Sequence, residues 1–153
     1  MRALELKIPP PAVALATAAL MRLACRAMPG FGFVFPARAI FAGGVAAAGV
    51  LTAVSGVLAL RQAQTTLNPM KPDTATSLVA SGSYTFTRNP MYLGLLLVLT
   101  GWAIFLSHAL AFIFLPVFAG YITRFQIVPE ERTLASRFGQ DFVVYKSRVR
   151  RWL

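Results

Sequence analysis

Long apolar runs alternate with short polar stretches along this chain, and the runs have the length of membrane helices. Residues 39 to 60, "AIFAGGVAAAGVLTAVSGVLAL", carry no charge and reach the ~20 residues that a helix needs to cross the hydrocarbon core. Their Gly, Ala and Ser content suits a helix packed closely against others. Two more runs follow, "MYLGLLLVLTGWAIFLS" from Met91 and "ALAFIFLPVFAGYI" from Ala109, parted only around His108. They predict a tight helical hairpin over 91–122, kinked at Pro116 in a way that neighbouring helices can tolerate. An earlier run, Pro11 to Ala24, is short and carries Arg22, with Arg26 one turn further on. Residues 11–26 are therefore either a fourth span or an interfacial helix with its arginines at the membrane edge. The pattern predicts an all-α fold, a polytopic transmembrane bundle of about four spans.

Between the runs, residues 61–90 form a long irregular loop, "RQAQTTLNPMKPDTATSLVASGSYTFTRNP". A loop of that length is usually functional or disordered, and this one has too many Thr, Ser, Leu and Tyr and too few charges for a disordered linker. It is expected to fold onto the bundle. After Tyr121, Pro129 suits a first helical position, Glu130 and Glu131 suit a first turn, and Gly139 suits a helix end. One integral membrane domain over 1–153 results: N-terminal spans in 1–60, the loop 61–90, the hairpin 91–122 and an amphipathic helical tail in 123–153. The start of the chain, with its charged residues and apolar middle, looks like a signal peptide, but Glu5, the triple proline and Arg22 fit one poorly. It is read as retained.

Composition strengthens the membrane reading, with 57% hydrophobic and 13% charged residues. The net charge of +10 could point to nucleic acid, but the bases sit beside apolar runs. Seven of the fifteen Lys and Arg lie between Arg124 and Arg151, the pattern of the positive-inside bias and of attraction to anionic lipid headgroups. The loop 61–90 and the tail are thus expected on the cytoplasmic side, together with both termini, and no nucleic-acid partner is expected. Arginine-rich, alanine-rich composition suits a bacterial inner-membrane protein. A single cysteine, Cys25, excludes an intrachain disulfide, and a single histidine, His108, argues against a His-rich metal site and suits a polar cap in the hairpin turn.

Two clusters bear chemistry. Arg88-Asn89-Pro90 starts the hairpin: Asn is a good N-cap and Pro is favoured at the first helical position. The same start presents free amides and half a positive charge, to which Arg88 adds a full one, so it also suits an anion. Tyr92 lies one turn further on, and Gly94 leaves room beside it for a ligand. Glu130-Glu131 is either dipole complementation or, since acids number only five in the chain, the opposite wall of a pocket facing Arg88. Such a pocket would suit a ligand with both cationic and anionic parts. Tyr84 and Tyr145 have the composition of interfacial aromatics.

"LVASGSYTFTRNPMYLG", the apolar hairpin, "EERTL" and "FGQDFVVYKSRV" together resemble the isoprenylcysteine carboxyl methyltransferase and phospholipid methyltransferase superfamily, over about residues 68–150. The resemblance implies an integral membrane enzyme that uses S-adenosylmethionine. It implies cofactor contacts from Thr76, Ser77, Leu78 and Val79, from Tyr84, from Asn89, Pro90, Met91 and Tyr92, and from Glu130. Arg88 and Asn89 are the candidates for a catalytic role. Many relatives carry His where this chain has Asn89, so a role that needs imidazole is absent. The eukaryotic prenylcysteine enzymes place an Arg that meets the substrate carboxylate where this chain has Gln126, with Arg124 two residues away; these two are the substrate-side candidates. The implied acceptor is lipophilic and enters from the bilayer. Two rival functions are weighed against this one: an NADPH-dependent reductase related to sterol reductases, and a non-catalytic membrane scaffold.

Overall fold

The computed structural model describes residues 5–66, 68, 70 and 72–153; the first four residues, with the charged start noted above, and Leu67, Pro69 and Lys71 of the long loop lie outside it. Among the described residues five α-helices follow one another: α1 (Pro10–Ala27), α2 (Arg38–Gln62), α3 (Pro90–Leu106), α4 (Ala109–Ile122) and α5 (Val128–Arg148). Among the described residues there is no strand, only an isolated bridge between Gly32 and His108. The expected all-α class is the observed one. Among the described residues two helical stretches are long and apolar enough to cross a membrane, α2 with 25 residues and Ala109–Arg148 with 40, the latter kinked at Gly139. The apolar α3 is shorter at 17 residues, and α1 carries Arg22 and Arg26, both exposed.

The outer surface of the helices is apolar. Large apolar side chains point outward along the bundle, among them Leu15, Ile40, Leu51, Ile113 and Val117. In water such a surface would drive aggregation, whereas hydrocarbon solvates it. The inner core joins Met21 of α1, Leu99 and Ala103 of α3, Ala111, Phe118 and Ile122 of α4, and Ile127 beyond it. Trp102 ties α3 to α1 through its indole N–H, which donates to the Ala18 carbonyl at 3.1 Å.

Helices α2 and α3 touch backbone to backbone. A Cβ built on Gly94 would lie 2.5 Å from the Gly49 oxygen and 2.7 Å from the Ala53 Cβ, and one on Gly101 would lie 2.7 Å from the Ala42 oxygen. The space beside Gly94 is thus filled by α2 and not left for a ligand. This corrects the role expected for that glycine.

The hairpin forms as its sequence predicts. Helix α3 ends at Leu106, Ser107 takes the left-handed conformation at φ 49°, and α4 begins after His108. His108 stands at the N-cap position without capping α4 by its side chain; its Nε2 lies 2.9 Å from the Met28 carbonyl, while the Phe33 amide donates to the Ser107 carbonyl at 2.9 Å. The 28–33 connection is thereby pinned to the hairpin turn.

The stretch after α4 departs from expectation. No new helix starts at Pro129; the chain stays helical through a π turn, Thr123–Ile127, directly into α5. Proline has no N–H for the carbonyl four residues before it, here that of Phe125. The Leu6 amide takes that place at 3.0 Å. Gly139, at φ 51° and ψ −121°, is non-helical, so α5 is two helices that meet at a kink there, as the expected helix end at Gly139 has it.

Candidate functional site

The first turn of α3, the start of α5 and the folded loop 61–90 converge on one cavity at the end of the bundle. The loop folds back on the end of α2. The Thr76 hydroxyl donates to the Gln64 carbonyl at 3.0 Å, the Ser77 hydroxyl donates to the Ala63 carbonyl at 3.1 Å, and the Thr76 amide donates to the Thr65 hydroxyl at 3.0 Å. A guanidinium N–H of Arg137 on α5 donates to the Asp73 carbonyl. These bonds replace the helical ladder that the loop lacks, and they turn Ser77, Leu78 and Val79 toward the cavity.

Across from the loop stand Tyr92 and Glu130. The Tyr92 hydroxyl donates to Glu130 Oε1 at 2.5 Å. Among the described residues no cation pairs with Glu130, because Arg88 lies against its neighbour: Arg88 Nη1 is 3.0 Å from Glu131 Oε1. Glu131 also holds Arg151, with Nε donating to Oε1 at 3.0 Å and Nη2 donating to Oε2 at 2.7 Å. The hydrogen bond from Arg151 to Glu131 raises the arginine above its ordinary pKa. Arg88 and Glu130 thus line one cavity, as expected, while the ion pairs run Arg88–Glu131–Arg151 and Glu130 faces the cavity bonded, among the described residues, by Tyr92. Tyr84 lines the same cavity, and burial, reinforced by the charge of Glu130 and by Tyr145, pushes its hydroxyl well above the ordinary value.

The sequence-predicted residues divide cleanly. Ser77, Leu78, Val79, Tyr84, Arg88, Asn89, Met91, Tyr92 and Glu130 line the cavity. Thr76 stands behind the loop and holds its fold, and Pro90 is buried against α2, where a Cβ on Gly56 would meet its Cγ at 2.8 Å. Asn89 occupies the N-cap position without capping the helix by its side chain. Its Nδ2 donates instead to the Arg151 carbonyl at 2.9 Å. Tyr145 is no free interfacial aromatic either, since its hydroxyl donates to the Tyr84 carbonyl at 2.8 Å.

Arg124 and Gln126 do not reach the cavity. Arg124 pairs with Glu5 at 3.1 Å, as Arg132 does at 3.3 Å. Gln126 is fully buried and donates to the Ile8 carbonyl at 2.7 Å. Both therefore fasten the segment before α1 to the π turn. Sequence reasoning missed Thr65, Pro72, Leu134 and Phe142, which also line the cavity. Phe142 and Tyr145 stand one helical turn apart, and that spacing was the available signal.

The donors and acceptors here fit a ligand of mixed charge. Glu130 offers a carboxylate without a cation. The first-turn amides of α3 lack intrahelical partners, and Arg88 Nε is buried with no hydrogen-bond partner. A bundle with an apolar outer surface and, at one end, a cavity that carries a few charged and hydroxyl groups is the architecture of a membrane protein. More narrowly, the phospholipid methyltransferase family model matches residues 37–141, and the chain belongs to that family, within the isoprenylcysteine carboxyl methyltransferase-like superfamily. The protein is thus a membrane methyltransferase by family. The match takes in α2, which the sequence resemblance did not reach. The chain is also similar to an uncharacterized protein of Haemophilus influenzae, 46% identical over 63 residues, or 41% of this chain and 100% of that protein. No solved structure matches the chain.

Proposed function

We propose that the protein transfers a methyl group from S-adenosylmethionine, held in the cavity, to a lipophilic acceptor that arrives from the bilayer. The observation that carries this reading is the Glu130 carboxylate, turned to the cavity and bonded only by Tyr92 among the described residues. An acid without a cation favours a positively charged ligand. The cofactor supplies an activated methyl on a sulfonium, so the protein has chiefly to align the reactants and exclude water.

In this reading Glu130 accepts hydrogen bonds from the ligand's ammonium or ribose hydroxyls. The α3 amides and Arg88 receive its carboxylate. Ser77, Leu78 and Val79 close over it from the loop, and Tyr84 forms the opposite wall. An ionised carboxylate acceptor would need no base, whereas an amine or hydroxyl acceptor would have to lose a proton.

The finer topology belongs to the same proposal. Helix α3, about 26 Å long at 1.5 Å per residue, and α1 complete a four-span bundle with α2 and α4. The loop 61–90, both termini and the cavity face the cytoplasm, in a bacterial inner membrane. The test is titration of S-adenosylhomocysteine into detergent-purified protein, beside Glu130→Gln and with NADPH as the competing ligand. Saturable binding that Glu130→Gln abolishes is expected. Binding of NADPH instead would transfer the protein to the reductases, and no binding of either by folded protein would leave the scaffold reading.

A further inference from the structure

The segment after α5 is fastened to the cavity by more bonds than a surface tail needs. The Arg88 amide donates to the Arg150 carbonyl at 3.0 Å. The Arg151 carbonyl accepts from two side chains, Asn89 Nδ2 at 2.9 Å and Thr87 Oγ1 at 3.3 Å. The Arg151 guanidinium grips both oxygens of Glu131, the residue next to Glu130. Trp152 packs on the core and its indole N–H donates to Thr123 Oγ1 at 3.2 Å. Main chain and side chain of a single residue, Arg151, therefore join the entry of α3 to the start of α5, the two elements that present Tyr92 and Glu130.

We propose that Arg151 is a positioning residue for the cofactor cavity, and that residues 149–152 form a strap that holds its two walls in register. This rests on the methyltransferase reading above. The strap acts through Glu131: a carboxylate shared between Arg88 and Arg151 fixes the first turn of α5, so the adjacent Glu130 keeps its aim at Tyr92. It also engages Asn89, whose side chain orders the turn before Pro90. The fork of an arginine is needed, because a bidentate grip fixes orientation as well as distance.

The experiment compares wild type, Arg151→Ala, Arg151→Lys and Arg148→Ala in detergent. Arg148 is exposed in the last turn of α5, and its removal takes away the same charge without touching Glu131. Two readouts are taken: the Kd for S-adenosylhomocysteine, and hydrogen exchange of the amides over 87–89 in ligand-free protein. Arg151→Ala is expected to weaken binding at least tenfold and to lose the protection of 87–89. Arg151→Lys is expected to recover part of both, and Arg148→Ala to match wild type. Wild-type affinity in Arg151→Ala overturns the positioning role, as does unchanged exchange. Equal losses in Arg148→Ala also overturn it, since charge alone would then suffice. If Arg151→Ala does not fold, the lysine variant decides by the same criteria: it must be weaker than wild type and less protected. If wild type itself binds no S-adenosylhomocysteine, the cofactor reading falls, and the exchange arm still decides whether Arg151 holds the strap.

Discussion

Tyr92 and Glu130 illustrate how little room one side chain has at this site. Their hydrogen bond runs from a hydroxyl to a carboxylate, the kind worth ~1.5–3 kcal/mol in a protein. Tyr92→Phe should therefore lower stability by about 2 kcal/mol in thermal unfolding, and weaken S-adenosylhomocysteine binding because Glu130 loses its orientation. Unchanged affinity would remove Tyr92 from the site. Arg88 carries a different lesson. As an isolated residue beside a helix start it reads as an anion receptor, yet its charge is spent on Glu131. Its Nε and Nη1 both lie buried without a hydrogen-bond partner among the described residues.

Individual elements show the same division between local rule and neighbour. The α2–α3 crossing depends on glycines where a methyl has no space. Gly94→Ala should cost ~1–3 kcal/mol by overpacking, while Gly43→Ala, in the same pair of helices but with nothing within 4 Å, should gain about 0.5–1 kcal/mol from reduced backbone freedom. Equal melting temperatures for the two variants would contradict the close crossing. In the continuous helix from α4 to α5, the π turn is where a proline would otherwise break the ladder. Leu6 repairs it from outside the helix by donating to the Phe125 carbonyl, and Gln126, within the turn, donates to the Ile8 carbonyl beside it. The π turn places the two substrate-side candidates, Arg124 and Gln126, toward the segment before α1 and not toward the cavity.

At the scale of the whole molecule, the cavity and the hairpin turn lie at opposite ends of α3. A four-span bundle then puts them on opposite faces of the membrane. Single cysteines at Ser81 and Ala109, both exposed, in a Cys25→Ser background should react with an impermeant maleimide from opposite sides of inverted vesicles. Labelling of both from one side would exclude the topology. The seven basic residues from Arg124 to Arg151 also acquire a second purpose here. Some of them join distant segments: Arg124 meets Glu5 119 positions away, and Arg151 meets the entry of α3.

Much of this architecture is contained in local sequence. Apolar runs of fixed length become helices because lipid leaves every backbone group to be satisfied within its own segment, and that requirement needs no knowledge of neighbours. The hairpin over 91–122 and the start at Pro90 followed from it, and so did the choice of Tyr92 and Glu130 as cavity residues once the family pattern was read. Tertiary structure alone decided which charges meet. Glu131 rather than Glu130 takes Arg88, Asn89 bonds a carbonyl 62 positions away instead of capping its helix, and Arg124 and Gln126 serve the segment before α1. Ion pairs and side-chain hydrogen bonds act over a few ångströms, so their partners are set by how the helices pack and not by spacing along the chain.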